Sequence, residues 1–468
     1  MSRRQFFQAA GGTIAFSSLF SFTKASETTG TKNETPIFPK GKAKVALVFT
    51  HIPSGQPTWP TKNYDYDGRA RELTAKLKQS CPQVDFTITS ALNAEQAQAI
   101  IKSAGDIDGF LVYVIGIWSG APNVLLHSGK PVVMVDDLFA GSGEVLIQHG
   151  RAMREKLPVV TVSSSDFKDV VEAARLFEVL RAMKESTILD VVDYDITEVS
   201  QKIKELLGTN VVRLTSQELA SYYSQADEQK ALVWADYWIK NAEKIVEPTK
   251  KDMLDSGKMH LALIQAVRDK KADAVTMDCL GMFYSGRVTA YPCFFLFQMN
   301  NDGSTGVCEG DLNSTCTQLM MRYLTGRPGY VSDPVIDTSK GEIIYAHCMA
   351  TNRVFGPRGK ANPYIIRSHA EDGKGASIQS LLPLNEIVTS LEIDVRNRRM
   401  VIHTAKTTRN VKEPKACRTK LAAKAKAERI LDNWDMGWHR VTVYGEWRKP
   451  VIRLARLLGV EVFEEDIS

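Results

Sequence analysis

Apolar and polar positions along the chain fall into two periods. Lys44–Phe49, Gly109–Trp118 and Pro131–Asp137 are nearly unbroken runs of β-branched and apolar residues. Strands covered on both faces of a parallel sheet have that texture. Val84–Ile88 alternates with period two. Between these runs, 67–79 sets Leu73 and Leu77 four apart, and Ala94–Ile101 keeps the helical spacing. The pattern restarts near Val159. Val159–Val162, Thr187–Val192 and Asn210–Leu214 read as strands. Phe167–Lys184, with Val170, Ala174, Phe177 and Leu180 on one face, and Thr197–Leu207 read as helices, followed by helices over Ser216–Lys250 and Met253–Lys270. Ala274–Asp278 then ends a strand on a carboxylate. Strands alternating with helices predict doubly wound parallel α/β layers.

Beyond about residue 280 the texture changes. Gly, Asn, Cys and Asp become dense, and strand patterns dominate 342–410. A helix, the strand Val441–Gly445 and a last helix at 449–458 complete the chain. A length of 468 residues allows about three domains of roughly 150 residues each. The division expected is 41–155 and 156–278 as two N-terminal α/β domains and 279–468 as a C-terminal domain. A composition 44% hydrophobic and 24% charged lets each bury a core, which excludes a disordered tail, a fibrous repeat and a disulfide-stapled miniprotein.

The first residues form a separate unit. Ser2-Arg3-Arg4-Gln5-Phe6-Phe7 precedes a short apolar run, Ala9–Phe22, and a small-residue cleavage pattern at Ala25. These are the three parts of a signal peptide, and the paired arginines resemble a twin-arginine export signal. The run is too short for a bilayer core of about 30 Å, which needs roughly 20 residues. Residues 1–25 are therefore read as removable, 26–40 as a linker, and the periplasm or another extracytoplasmic space as the destination. The twin-arginine export machinery is then a partner, and no membrane attachment remains after cleavage. That route carries folded chains, often with a cofactor in place, which hints at a bound metal. The net charge of +5 is mild and loses Arg3, Arg4 and Lys24 with the signal, so nucleic acid is not an expected partner. The seven cysteines are odd in number and include no CxxC; buried free thiols, with room for one disulfide, fit best.

Candidate chemistry gathers in the last third. Cys308-Glu309-Gly310-Asp311-Leu312-Asn313 places two carboxylates just before a helix pattern, where either could simply cap it. Val331-Ser332-Asp333-Pro334 carries another acid, Ile343–Cys348 delivers His347 from a strand, and Gly437-Trp438-His439-Arg440 precedes the last strand. A lone histidine is more often packed than ligating. Oxygen and imidazole donors together suit Mn²⁺, Co²⁺ or Mg²⁺ better than a thiolate zinc site.

Taken as an ordered set, these motifs, with Leu324-Thr325-Gly326, Tyr345-Ala346-His347-Cys348 and Gly437–Gly445, resemble the L-fucose isomerase and L-arabinose isomerase superfamily. The resemblance is firm over about 275–465. It implies two N-terminal α/β domains, a C-terminal α+β domain with an antiparallel barrel, a homo-oligomer, and one divalent cation, commonly manganese. It implies Glu309, Asp333, His347 and His439 as metal residues. Glu309 and Asp333 would also be catalytic, with Asp311 as the rival acid. Asp278, Asp311, Asn313, Trp438 and Arg418 are the substrate-side candidates. The implied reaction interconverts an aldose and a ketose through an enediolate: a cation polarises the carbonyl and carboxyl groups move the proton. Thr351–Asn362 and Arg367–Asp372 depart from the arabinose pattern. Two other readings therefore stand beside it: an exported carbohydrate-binding or sensing protein on this fold, and a metal-dependent enzyme for an anionic sugar.

Three further features invite a function. The stretch 396–429 holds twelve Lys or Arg and two acids, either a solvated face or an anion patch centred on Arg418. Trp434, Trp438 and Trp447 flank His439 as core or as a stacking platform. Ala140-Gly141-Ser142-Gly143 after a strand reads as a loop, with a phosphate cradle as the alternative.

Overall fold

A computed structural model describes residues 35, 37–55 and 59–467; the expected signal segment 1–25 and residues 26–34 lie outside them. Five strands form the first sheet: β1 (Ala43–Thr50), β2 (Val84–Ala91), β3 (Gly109–Val114), β4 (Val132–Asp136) and β5 (Val159–Ser163). Their order is β2-β1-β3-β4-β5 and every pairing is parallel. The apolar runs are central strands here: all six residues of β3 and all five of β4 are buried.

Next in the chain come β6 (Thr187–Val191), β7 (Asn210–Leu214), the two-residue β8 (Lys244–Ile245), β9 (Ala274–Met277) and β10 (Thr305–Cys308). Four of them form a second parallel sheet, β10-β9-β6-β7. Its edge strand β10 lies beyond residue 278, inside the stretch with the altered texture.

The remaining strands are β11 (Tyr330–Asp337), β12 (Glu342–His347), β13 (Tyr364–Arg367), β14 (Ser377–Ser380), β15 (Ile387–Asp394), β16 (Arg399–Asn410), β17 (Thr419–Lys424), β18 (Arg440–Tyr444) and β19 (Glu461–Glu464). Six of them run β15-β18-β11-β12-β17-β16, all antiparallel, and β15 pairs back onto β16 to close a barrel. β19 adds to β16 in parallel, and β14-β13-β8 is a small separate sheet. Closure leaves no free edge between the six strands.

Alternate barrel residues point to two cores. Tyr330, Ile343, Tyr345, Val388 and Leu421 fill the interior. Leu391, Ile393, Ile402 and Val441 join one cluster with Leu47 and Phe49 of the first sheet and Leu319 of helix Leu312–Thr325. Each such side chain contributes about 1.5–3 kcal/mol by leaving water. That shared core fixes the barrel on the α/β layers, and with it the ends of the strands that carry the site.

Several expectations change in detail. The helix expected over Phe167–Lys184 is two helices, Phe167–Ala174 and Leu176–Lys184, meeting at Arg175. Ser216–Lys250 divides into Ser216–Ser224, Glu228–Asn241 and β8, because Thr215 and Asp227 each cap a new helix. The phosphate cradle at 140–143 is closed by the protein itself: Asp136 Oδ1 accepts from Ser142 N at 3.1 Å, placing a carboxylate where an anion would sit. All seven cysteines are free thiols. Among the described residues no helix is long and apolar enough to cross a membrane. The end of the 26–40 stretch is tied down, with Lys40 Nζ 2.7 Å from Asp273 Oδ1 and Thr35 Oγ1 donating to Asp302 at 2.9 Å.

Candidate functional site

The site is built where the second parallel sheet meets the barrel. Cys308, the last residue of β10, lies beside Met277, the last of β9, so the chain leaves both strands at the same carboxyl end. Ligands of open α/β sheets gather there. Two left-handed residues follow β10: Glu309 at φ +69° and Gly310 at φ +65°. A Cβ on Gly310 would stand 3.0 Å from the Tyr194 hydroxyl, so glycine fits the turn. At Glu309 a non-glycine residue holds a conformation that costs about 1–3 kcal/mol. The turn aims the carboxylate at the barrel mouth. Asp311 then caps helix Leu312–Thr325, accepting from Ser314 N at 3.1 Å.

Barrel register supplies the other residues. Asp333 on β11 faces Ala346 on β12, next to His347. Ser332 faces Arg440 on β18, next to His439. Three neighbouring strands thus bring Asp333, His347 and His439 to one end of the barrel. Glu309, Asp333, His347 and His439 each offer a ligand atom within 4.8 Å of the others. His347 Nε2 stands 3.4 Å from Glu309 Oε1 and 4.0 Å from Asp333 Oδ2. His439 Nε2 stands 3.4 Å from Glu309 Oε2 and 3.2 Å from Asp333 Oδ1.

Both Nε2 atoms are buried and make no hydrogen bond among the described residues. An unpaired buried imidazole nitrogen is costly unless something else binds it. Two such nitrogens turned toward one point, with two carboxylates around it, fit a divalent cation. The far side of His439 is organised for the same end. Its Nδ1–H donates to Asp311 Oδ2 at 2.8 Å, which turns Nε2 toward the cluster. Ser314 Oγ donates to Asp311 Oδ2 at 2.6 Å and lies 3.2 Å from both oxygens of Glu392, a buried acid on β15. His347 Nδ1 is 3.3 Å from Cys348 Sγ.

The charges follow from this packing. Burial would lift the Glu309 carboxyl, but the two imidazoles outweigh it and hold it well below the ordinary range. Burial would depress His439, yet Asp311, Asp333 and Glu309 raise it to about 11 while no cation is bound. Burial, reinforced by Asp278 and Asp311, pushes Asp190 on β6 up to about 8. Burial also raises Glu392 well above a normal glutamate, with Asp311 adding to the effect.

The substrate-side candidates divide. Asp311 and Asn313 line a cleft of about 340 Å³ beside His439, together with Glu392, Asp394 and Trp438. Trp438 is 72% exposed, and its ring lies 5.9 Å from that of His439. Trp434 instead packs under Arg440, whose guanidinium carbon is 3.8 Å from the ring centre, and Trp447 donates to Tyr444 O. Asp278 caps the helix Cys279–Tyr284 through Gly281 N. Arg418 spends Nε and Nη2 on Ser368 O and Ser368 Oγ at 2.8 and 3.0 Å, so it braces the 368–369 turn. Much of the basic stretch is paired as well: Arg396 with Glu198, Arg399 with Asp435 and Arg409 with Glu342. Sequence reasoning missed Ser314, Glu392 and Asp190. Glu392 between Leu391 and Ile393 was a readable sign of a special buried acid; nothing marked Ser314 beyond its place in a capped first turn.

Fold and site together define a mixed α/β protein with a closed six-stranded barrel and a histidine–carboxylate pocket able to hold a metal ion at the barrel mouth. The chain is similar to the sulfoquinovose isomerases of Priestia aryabhattai and Priestia megaterium (strain ATCC 12872 / QMB1551), at 22% identity over 303 residues. The alignment takes in 61% of this chain and 66% of each relative, just under two thirds of their length. No family model matches the chain.

Proposed function

We propose that the protein is a divalent-cation-dependent aldose–ketose isomerase acting on a sugar. The observation that carries the reading is the convergence of two buried imidazole Nε2 atoms, those of His347 and His439, on the Glu309 and Asp333 carboxylates at 3.2–4.0 Å. The similarity to two sugar isomerases supports it independently. Mn²⁺ is the cation best matched to two carboxylates and two imidazoles, with Co²⁺ and Mg²⁺ next. A cation here would act as a Lewis acid on adjacent sugar oxygens.

The chain's own residues supply the rest. Glu309, with both oxygens turned to imidazoles, is a ligand first. Asp333, whose side chain is 39% exposed, takes the proton from one sugar carbon and returns it to the neighbouring one. Asp311 holds the His439 ring in place through Nδ1. Trp438 offers an apolar face to the sugar, and Asn313 and Asp394 line the cleft beside it. Export through the Arg3-Arg4 signal and assembly into a homo-oligomer belong to the same reading.

The test is turnover by the Mn²⁺-loaded full chain on sulfoquinovose and a panel of neutral aldoses, with Glu309→Gln and Asp333→Asn alongside. Ketose formation that falls by about 100-fold or more in both variants is expected. Sugar binding with no ketose from any aldose would favour a binding or sensing protein instead.

A further inference from the structure

The back of the same histidine faces a different set of donors. Cys308 ends β10 one residue before Glu309, and Cys348 follows His347 directly. Their Sγ atoms lie 3.8 Å apart, and Cys348 Sγ is 3.3 Å from His347 Nδ1. The three ligand atoms fall within 4.8 Å of one another, and all three residues are buried. The Cys293 thiol also interacts with that of Cys348. Oxygen donors form the cluster in front of His347; sulfur donors form the one behind it.

Metal-ligand geometry gives these distances a meaning. A tetrahedral ion with bonds of about 2.3 Å to sulfur and about 2.0–2.1 Å to nitrogen sets its sulfurs roughly 3.8 Å apart and sulfur and nitrogen roughly 3.5 Å apart. The Sγ–Sγ separation and that from Cys348 Sγ to Nδ1 are close to two edges of that tetrahedron, and the third pair lies within 4.8 Å. Thiolates and an imidazole nitrogen select a thiophilic d¹⁰ ion over Mn²⁺ or Mg²⁺.

We infer that Cys308, Cys348 and His347 Nδ1, with Cys293 beside them, form a second cation site for a thiophilic ion such as Zn²⁺, sharing His347 with the oxygen-rich site. Each thiol that ligates gives up its S–H proton to solvent, and no electrons are transferred. With both ring nitrogens engaged, His347 also gives up its remaining proton and bridges the two sites. Loading the sulfur site therefore acts on the first site through one ring and through the backbone of Glu309.

The measurement is Zn K-edge X-ray absorption on the full chain, purified under reducing conditions and given one and then two equivalents of Zn²⁺. The expected result is two zinc ions per chain and sulfur scatterers at about 2.3 Å. Cys308→Ser combined with Cys348→Ser should reduce the stoichiometry from two to one and remove the sulfur signal, with the circular dichroism unchanged. Glu309→Gln should keep the sulfur signal while losing the other site, which separates this inference from the isomerase reading. Only oxygen and nitrogen scatterers in the wild-type protein at two equivalents would overturn it, whatever the variants do. A Cys308–Cys348 disulfide found by mass spectrometry in that same preparation would overturn it too.

Discussion

His439 is held from both sides by acids with different tasks. Asp311 binds Nδ1, while Glu309 and Asp333 face Nε2. Removing the orienting acid should weaken cation binding without deleting a ligand. Asp311→Asn is expected to lower Mn²⁺ affinity by about 10–100-fold, read by titration calorimetry, with the thermal melt of the metal-free protein as the folding control. An unchanged affinity would show that Asp311 only caps its helix. The sign of the pH effect follows from His439. Its value of about 11 without a cation lies above the ordinary 6.5, so the bare site carries a proton at neutral pH. The stability this gives the metal-free protein is fully present below about 6.5 and is lost as pH rises toward 11. A cation must displace that proton. Mn²⁺ affinity should therefore climb with pH between 6 and 9, roughly tenfold per unit for each proton released. Calorimetry in buffers of different ionisation enthalpy counts the protons, and a count of zero would contradict the arrangement.

Two elements bear unusual buried charge. In the barrel wall, Arg440 pairs with Glu465 at 2.6 Å, Glu465 accepts from His403 at 2.7 Å, and all three side chains are fully buried. Arg440 also donates to the carbonyl of His439, so the network fixes the backbone of a site residue. Glu465→Ala leaves a buried guanidinium uncompensated and should cost about 3–5 kcal/mol in urea unfolding. On β6, Asp190 is fully buried and, among the described residues, neither oxygen has a hydrogen-bond partner. Its folded value of about 8 stands above the ordinary carboxylate range, so native stability drains away as pH rises from about 4 to 8. Asp190→Asn should raise the melting temperature, by more at pH 8 than at pH 5; a pH-independent difference would rule out this origin. Neither network was legible in the sequence. Glu465 and Arg440 lie 25 positions apart and Asp190 meets Asp311 only through the fold. The parallel strands between 43 and 214 were legible because strands buried on both faces read as continuous apolar runs; the helices Ala121–Leu126 and Ser142–Arg154 between them were not read. Helix breaks such as Arg175 were not, since neither side of that break carries a strong stop signal.

At the scale of the whole chain, the parallel sheets and the barrel each supply part of one pocket. Glu309 comes from the end of a parallel strand, and Asp333, His347 and His439 come from three barrel strands. The sequence motifs singled out all four as candidates, and the resemblance to the isomerase superfamily is what grouped them as metal residues. Barrel closure was not legible: it depends on β15 returning to β16 while β18, far along the chain, fills the other edge of β15. The account stands on that pocket binding a cation and turning over a sugar. Proton NMR of the Mn²⁺-loaded full chain with sulfoquinovose and neutral aldoses in D₂O tests it most directly. The account predicts conversion of one of these aldoses to its ketose with deuterium entering at the carbon that exchanges its proton, and loss of both signals in Asp333→Asn. A fully metal-loaded, folded protein that leaves every aldose unconverted and unlabelled would contradict it.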